Sequence, residues 1–219
     1  MNGSLIPLLV LAGVAIFLIL KLRSVLGTRE GFEKPPVPIE EARPKGRRDF
    51  EVIEGGIDRD ITDHAPEGSD TARALLAMKV AEPSFAVTPF LSGARSAYEM
   101  ILMAYEGGDL EPVRTFLAPD VAASFAEAIA AREKEGLTVE AKFVGMKELA
   151  LEDASFAADT RLAEISVRFV GEQTYVVRNK AGEIIEGNPR AIKRQRDVWT
   201  FARKMGSDDP NWQLVATGD

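Results

Sequence analysis

The chain has 219 residues, 46% of them hydrophobic and 28% charged, values that suit a packed domain with extensions and not a disordered chain. It carries no cysteine, a single histidine (His64) and a net charge of −7 from 27 basic and 34 acidic residues. Disulfides, thiolate or multi-histidine metal sites and cysteine nucleophiles are excluded, and the acidic balance argues against nucleic acid as a partner.

Residues 5–20, bounded by Leu5 and Leu20, read LIPLLVLAGVAIFLIL without a charge. At about 1.5 Å per residue such a helix covers roughly 24 Å of a hydrocarbon core about 30 Å thick. The first four residues and a snorkelling Lys21 supply the remainder. Pro7 falls in the first turn, where its missing N–H costs least. A cleaved signal peptide would need a basic leader and a small-x-small cleavage site, and neither is present. Residues 1–27 are therefore expected to be a transmembrane anchor with a basic flank, in contact with membrane lipid. Lys21, Arg23, Arg29 and Lys34 all follow the apolar run, so the positive-inside rule places the rest of the chain in the cytoplasm.

Residues 28–70 read as a charged, flexible linker. Five prolines interrupt them, and no apolar periodicity is sustained. Eight basic and four acidic residues lie between 21 and 48, then eight acidic residues and Arg59 alone between 49 and 70. As a coil, 43 residues span roughly 35–40 Å. Val52, Ile53, Ile57 and Ile61 could equally form a short partner-binding segment.

Beyond residue 70 the pattern changes. Residues 71–80 are rich in helix formers, with Ala74, Leu75 and Met78 on one face, and Pro83 ends the run. Thr88-Pro89 predicts the start of a second helix, with Thr88 as its cap. Phe90, Ala94, Ala97, Ile101 and Ala104 recur at 3-4-3-4 spacing, Tyr98 and Tyr105 widen that face, and Gly107-Gly108 stops it. A third helix is predicted over 119–135, with Val121, Phe125 and Ile129 recurring every fourth residue. Period-2 alternation then predicts strands at 139–143, 163–169, 196–203 and 212–216. Asn179 to Gly182 reads as a hairpin turn between residues 174–177 and 184–185. Helices followed by consecutive antiparallel strands give an α+β domain over 71–219.

The segments FLSGARSAYEMILMAYEGGDLEPVRTFLAPDV (90–121) and RDVWTFARKMGSDDPNWQLVATGD (196–219) carry a resemblance. Phe90, Gly93-Ala94, Gly108-Asp109, Asp197, Trp199-Thr200-Phe201, Asn211-Trp212 and Leu214 occur in an order that resembles the Tim forty-four-like domain family. That family is named for subunit 44 of the mitochondrial inner-membrane translocase and includes bacterial TimA-type adaptors. The resemblance implies a cone-shaped domain similar to nuclear transport factor 2, helices packed on a curved antiparallel sheet with an apolar pocket between them. It also implies a membrane-tethered adaptor, here at a bacterial inner membrane, that binds a protein client or partner. The resemblance does not include the long charged region that holds the chaperone contacts of the mitochondrial relative, and chaperone recruitment is left open.

Two binding surfaces are expected. The apolar pocket is assigned to Phe90, Ala94, Tyr98, Ile101, Tyr105 and Trp199; the competing reading is that they fill an ordinary core. A basic surface is assigned to Arg190, Lys193, Arg194 and Arg196, facing anionic lipid such as cardiolipin or an acidic partner; a charge-protected strand edge competes with it. A lipid or hydrophobic-ligand module and a pocket enzyme of isomerase or dehydratase type are the alternative functions. Asp197 is the acid to suspect in the pocket, unless it pairs with Arg168 or Arg178. Asp109 reads as the cap of the next helix, and His64 as a solvated linker histidine. No phosphate-binding, dinucleotide-binding or hydrolase motif is present, and neither a catalytic residue nor a cofactor is expected.

Overall fold

A computed structural model describes residues 58–218. The anchor expected between Leu5 and Leu20 and linker residues 28–57 lie outside them. Among the described residues no helix is long and apolar enough to cross a membrane.

The first described element corrects the expected linker. Helix α1 (Arg59–Thr62) is opened by the Asp58 carboxylate, which accepts from Asp60 N–H at 3.1 Å. Ile61 and Ala65 are buried in the main core. Lys79 holds Asp58 at 2.8 Å and Asp60 at 2.7 Å. Residues 58–65 are thus tied to the domain, because Ile61 has a core to enter and two carboxylates have a cation to meet. Helix α2 (Asp70–Ala81) starts at Ser69, whose hydroxyl accepts from Ala72 N–H, and buries Ala72, Leu75 and Met78.

Helix α3 (Val87–Gly107) begins two residues before the expected Pro89, and its own cap residue, Ala86, has no side chain to cap with. Asp60 supplies the cap from 27 residues upstream, accepting from Val87 N–H at 2.7 Å and Thr88 N–H at 2.9 Å. The helix ends where Gly108 adopts φ 79°, a left-handed conformation that glycine takes without strain. Asp109 then accepts from Glu111 N–H and starts a 3-10 turn (Glu111–Phe116). Helix α4 (Pro119–Glu135) has its proline in the first turn and ends at Gly136.

Four strands follow, β1 (Thr138–Ala157), β2 (Leu162–Arg178), β3 (Ile184–Lys204) and β4 (Gln213–Gly218), in the antiparallel order β1-β2-β3-β4. Three strands are longer than their alternation suggests, and β2 joins residues 163–169 and 174–177. β1 contains three register shifts, and each breaks the period-2 signal that sequence reading relies on. β3 joins residues 184–185 and 196–203 into one strand across an irregularity between Asn188 and Ile192. Asn179 closes the hairpin, its Oδ1 accepting from Ala181 and Glu183 N–H. The core forms where Ala163, Ile165, Val167 and Phe169 of β2 and Trp199 and Phe201 of β3 meet α2 and α3. The far edge of β4 is covered, with Ala118 N–H donating to Leu214 O at 2.9 Å.

Candidate functional site

The first turns of α3 carry Phe90, Gly93, Ala94 and Ala97 along one face, and Met100 follows. Opposite them stand Phe85 from the α2–α3 loop and Pro210, Asn211 and Trp212 from the β3–β4 loop. Between these walls lies a solvent-open cleft of about 360 Å³, closed below by Phe116, Phe201, Arg203 and Glu82. Large rings facing small residues leave space that a ridge of larger side chains would fill. A mid-helix glycine costs about 1 kcal/mol relative to alanine, yet a Cβ on Gly93 would meet nothing within 4 Å. Its missing side chain keeps the cleft open.

Three aromatic rings pack into one wall of the cleft. Phe90 and Trp212 have ring centroids 4.7 Å apart, Phe85 and Trp212 5.9 Å, and Phe85 and Phe90 6.4 Å, all mutually tilted. Under it, Arg203 is buried, places its guanidinium 5.4 Å from the Trp212 ring centroid, and donates through Nη2 to Glu82 at 2.6 Å. Glu82 also accepts from Gly206 N–H at 2.6 Å and from Ser84. Burial pushes the Glu82 carboxyl up, but the bonds from Arg203 and Gly206 outweigh it and hold the group below its ordinary value. Arg203 Nε is buried and has no acceptor among the described residues.

Of the expected pocket residues, Phe90 and Ala94 line this cleft. Tyr98, Ile101 and Trp199 are buried in the core. Tyr98 stacks on Phe169 at 4.5 Å, lies 4.7 Å from Trp199, and donates to Asp197 at 2.6 Å. Tyr105 lies elsewhere, against Phe125 at 4.8 Å with the Arg132 guanidinium 5.5 Å from its ring. One stripe on a helix of 21 residues extends about 30 Å, and only its N-terminal two-thirds, as far as Met100, reaches the cleft. Sequence reading missed Phe85, Trp212, Arg203 and Glu82. These come from two loops and a strand end, whose convergence no local pattern encodes.

Asp197 is buried, and its partners are Tyr98 and Gln195. Arg168 instead pairs with Glu148 and Glu152, and Arg178 with Glu140. Asp197 shares the helix-facing parity of Trp199, whereas residues 168 and 178 have the opposite parity on β2. His64 is not free in solvent: its Nε2 lies 3.3 Å from Thr88 Oγ1.

Arg190, Lys193, Arg194 and Arg196 are all exposed, but they do not form one patch. Lys193 lies over the Tyr175 ring at 4.9 Å, with the helix-facing parity of Asp197. Arg194 bonds Glu172 at 3.0 Å on the opposite face, whose parity Arg196 shares, and Arg190 sits in the strand irregularity. Among the described residues, no group of three or more acidic or histidine side chains is placed to hold a metal ion.

The Tim44-like domain model matches residues 71–219. The mitochondrial import inner membrane translocase subunit TIM44-1 of Arabidopsis thaliana is 22% identical over 162 residues, covering 71% of this chain and 34% of the relative. The chain thus spans about a third of that relative's length. The intermembrane space region of the chloroplast protein ARC6 aligns at 14% identity and a TM-score of 0.39, over 56% of this chain and 88% of that one.

Proposed function

The chain belongs to the Tim44-like domain family, and from that premise we propose that it is a membrane-associated adaptor in protein transport. Residues 5–20 hold it in the inner membrane, and the folded unit binds a protein client on the cytoplasmic side. The observation that carries this reading is the solvent-open aromatic cleft. It places three rings, an exposed Met100 and an open helix face together where a partner's apolar side chains can dock. The name of the Arabidopsis relative, a subunit of an import translocase, agrees with this role.

The test is a photo-crosslinker at Met100 in the full chain, activated in native membranes, with Thr160 as the control position. A discrete protein adduct specific to position 100 is the expected result. Identical patterns from the two positions would sink the adaptor reading. The apolar lining also favours a second reading, a lipid or hydrophobic-ligand module; adducts of lipid mass alone would select it. Contact of Arg194 and Arg196, which share one face of β3, with anionic lipid is a separate part of the proposal. It predicts that replacing Arg194 and Arg196 by Glu weakens binding to cardiolipin-containing vesicles, while neutral vesicles stay unaffected.

A further inference from the structure

We infer that the cleft takes a protein segment in which a compact apolar side chain stands beside a carboxylate. The apolar group packs against the wall made by Phe85, Phe90 and Trp212, and the carboxylate meets Arg203. This rests on the docking reading above and names the chemistry of the docked segment.

The argument begins with unbalanced hydrogen bonding. Glu82 is the one carboxylate among the described residues lining the cleft, and its oxygens already accept from Arg203, Gly206 and Ser84. Arg203 directs Nη2 to Glu82 and the Met205 sulfur, while Nε and Nη1 have no acceptor among the described residues. Its side chain is more than nine-tenths buried. A second guanidinium stands at the same corner: Arg161 donates to Ala81 O at 2.7 Å, and its Nη2 lies 2.6 Å from where a Gly206 Cβ would sit. Within the cleft Arg203 faces one saturated carboxylate and keeps unmatched donors, and Arg161 beside it adds positive charge. An incoming group must therefore accept, and the arginine fork matches a carboxylate. A basic segment would add donors and like charge. The nearby Asp209 carboxylate does not correct the imbalance, because it bonds Asn211 N–H within its own loop.

Shape selects the source. Phe85, Phe90 and Trp212 touch one another, tilted by 44–60°, and form a short, uneven apolar wall beside Gly93 and Ala94. That suits a branched or aromatic side chain better than an extended acyl chain. The bare backbone at Gly93 lets a second main chain approach α3.

The test is selection of displayed random heptapeptides with free C-termini against the full chain in detergent. Enriched peptides should place Leu, Ile, Phe or Trp next to Asp, Glu or the terminal carboxylate. Resynthesised, they should bind at least about tenfold more weakly, a loss of about 1.4 kcal/mol, when that carboxylate becomes a carboxamide. Gly93→Leu should cause a similar loss with thermal stability kept, because the added side chain has space but fills the cleft. Arg203→Lys, which keeps the charge and removes the fork, should weaken carboxylate peptides more than their amides. Absence of enrichment, enrichment of basic peptides, or binding indifferent to the carboxamide or to Gly93→Leu would overturn the inference. So would displacement of a fluorescent fatty acid by dodecanoate with no peptide enriched, which would assign the cleft to lipid. Carboxylate-dependent peptide binding without a membrane crosslink at Met100 would overturn the adaptor reading and leave this site standing.

Discussion

Tyr98 separates a core residue from a pocket residue by a single hydrogen bond. Its hydroxyl is buried, and burial first, then the bond and charge of Asp197, push its pKa far above the ordinary phenol value. The tyrosine therefore acts as a permanent donor to a buried carboxylate. Tyr98→Phe leaves Asp197 with Gln195 alone, so stability should fall by about 1–3 kcal/mol in urea titration, while cleft binding is kept. A loss of binding at unchanged stability would return Tyr98 to the pocket. Asp60 is the second decisive residue. Burial raises its pKa, but Lys79 and the Thr88 and Val87 N–H groups together lower it well below the ordinary 3.8. A depressed native pKa contributes stability that is complete above the unfolded value and drains away as pH falls towards the native one. Asp60→Asn keeps an acceptor for the cap but loses the charge facing Lys79 and the helix N-terminus, so it should cost about 0.3–1 kcal/mol at pH 7. The gap between variant and wild type should narrow below pH 4, as chemical denaturation at several pH values would reveal.

The elements show why spacing located helices better than their contents. Helix ends at Gly108 and Gly136 were legible, because glycine after an amphipathic run is a local chemical signal. The start of α3 was not, since its cap arrives from Asp60 in a segment that reads as linker. The strands were found wherever alternation was unbroken, as over Ala163 to Phe169, and truncated wherever a bulge shifted it, as in β1. One close approach ties α3 to the sheet: a Cβ on Gly171 would lie 3.1 Å from the Tyr98 hydroxyl and 3.3 Å from the Phe143 ring. Gly171→Ala should therefore destabilise by about 1–3 kcal/mol despite alanine's smaller backbone entropy. Combining it with Tyr98→Phe should cost less than the sum, because the closest contact is then gone. Additive losses in thermal melts would mean that the two sites are independent.

At the scale of the molecule, one prediction concerns the segment outside the described residues. If residues 5–20 anchor the chain, removing residues 1–27 should shift it from the membrane pellet to the soluble fraction, and the folded unit should melt at the same temperature. Retention in the pellet after carbonate washing would point to another membrane contact. The sequence by itself determined the α+β class, the order of helices before strands and the family likeness, because periodicity and turn chemistry are local properties of the chain. Tertiary structure alone decided which residues of one helical stripe are core and which line a cleft, as Tyr98 and Ala94 demonstrate four residues apart. It also divided the basic stretch between two faces of β3, where a step of one residue reverses the side chain. Most of all, it brought Glu82, Arg203 and Trp212 together from loops and strand ends more than 100 residues apart in the case of Glu82 and Arg203. The physical reason is that a site made by convergence depends on how elements pack, and packing is decided by the whole core rather than by any window of sequence.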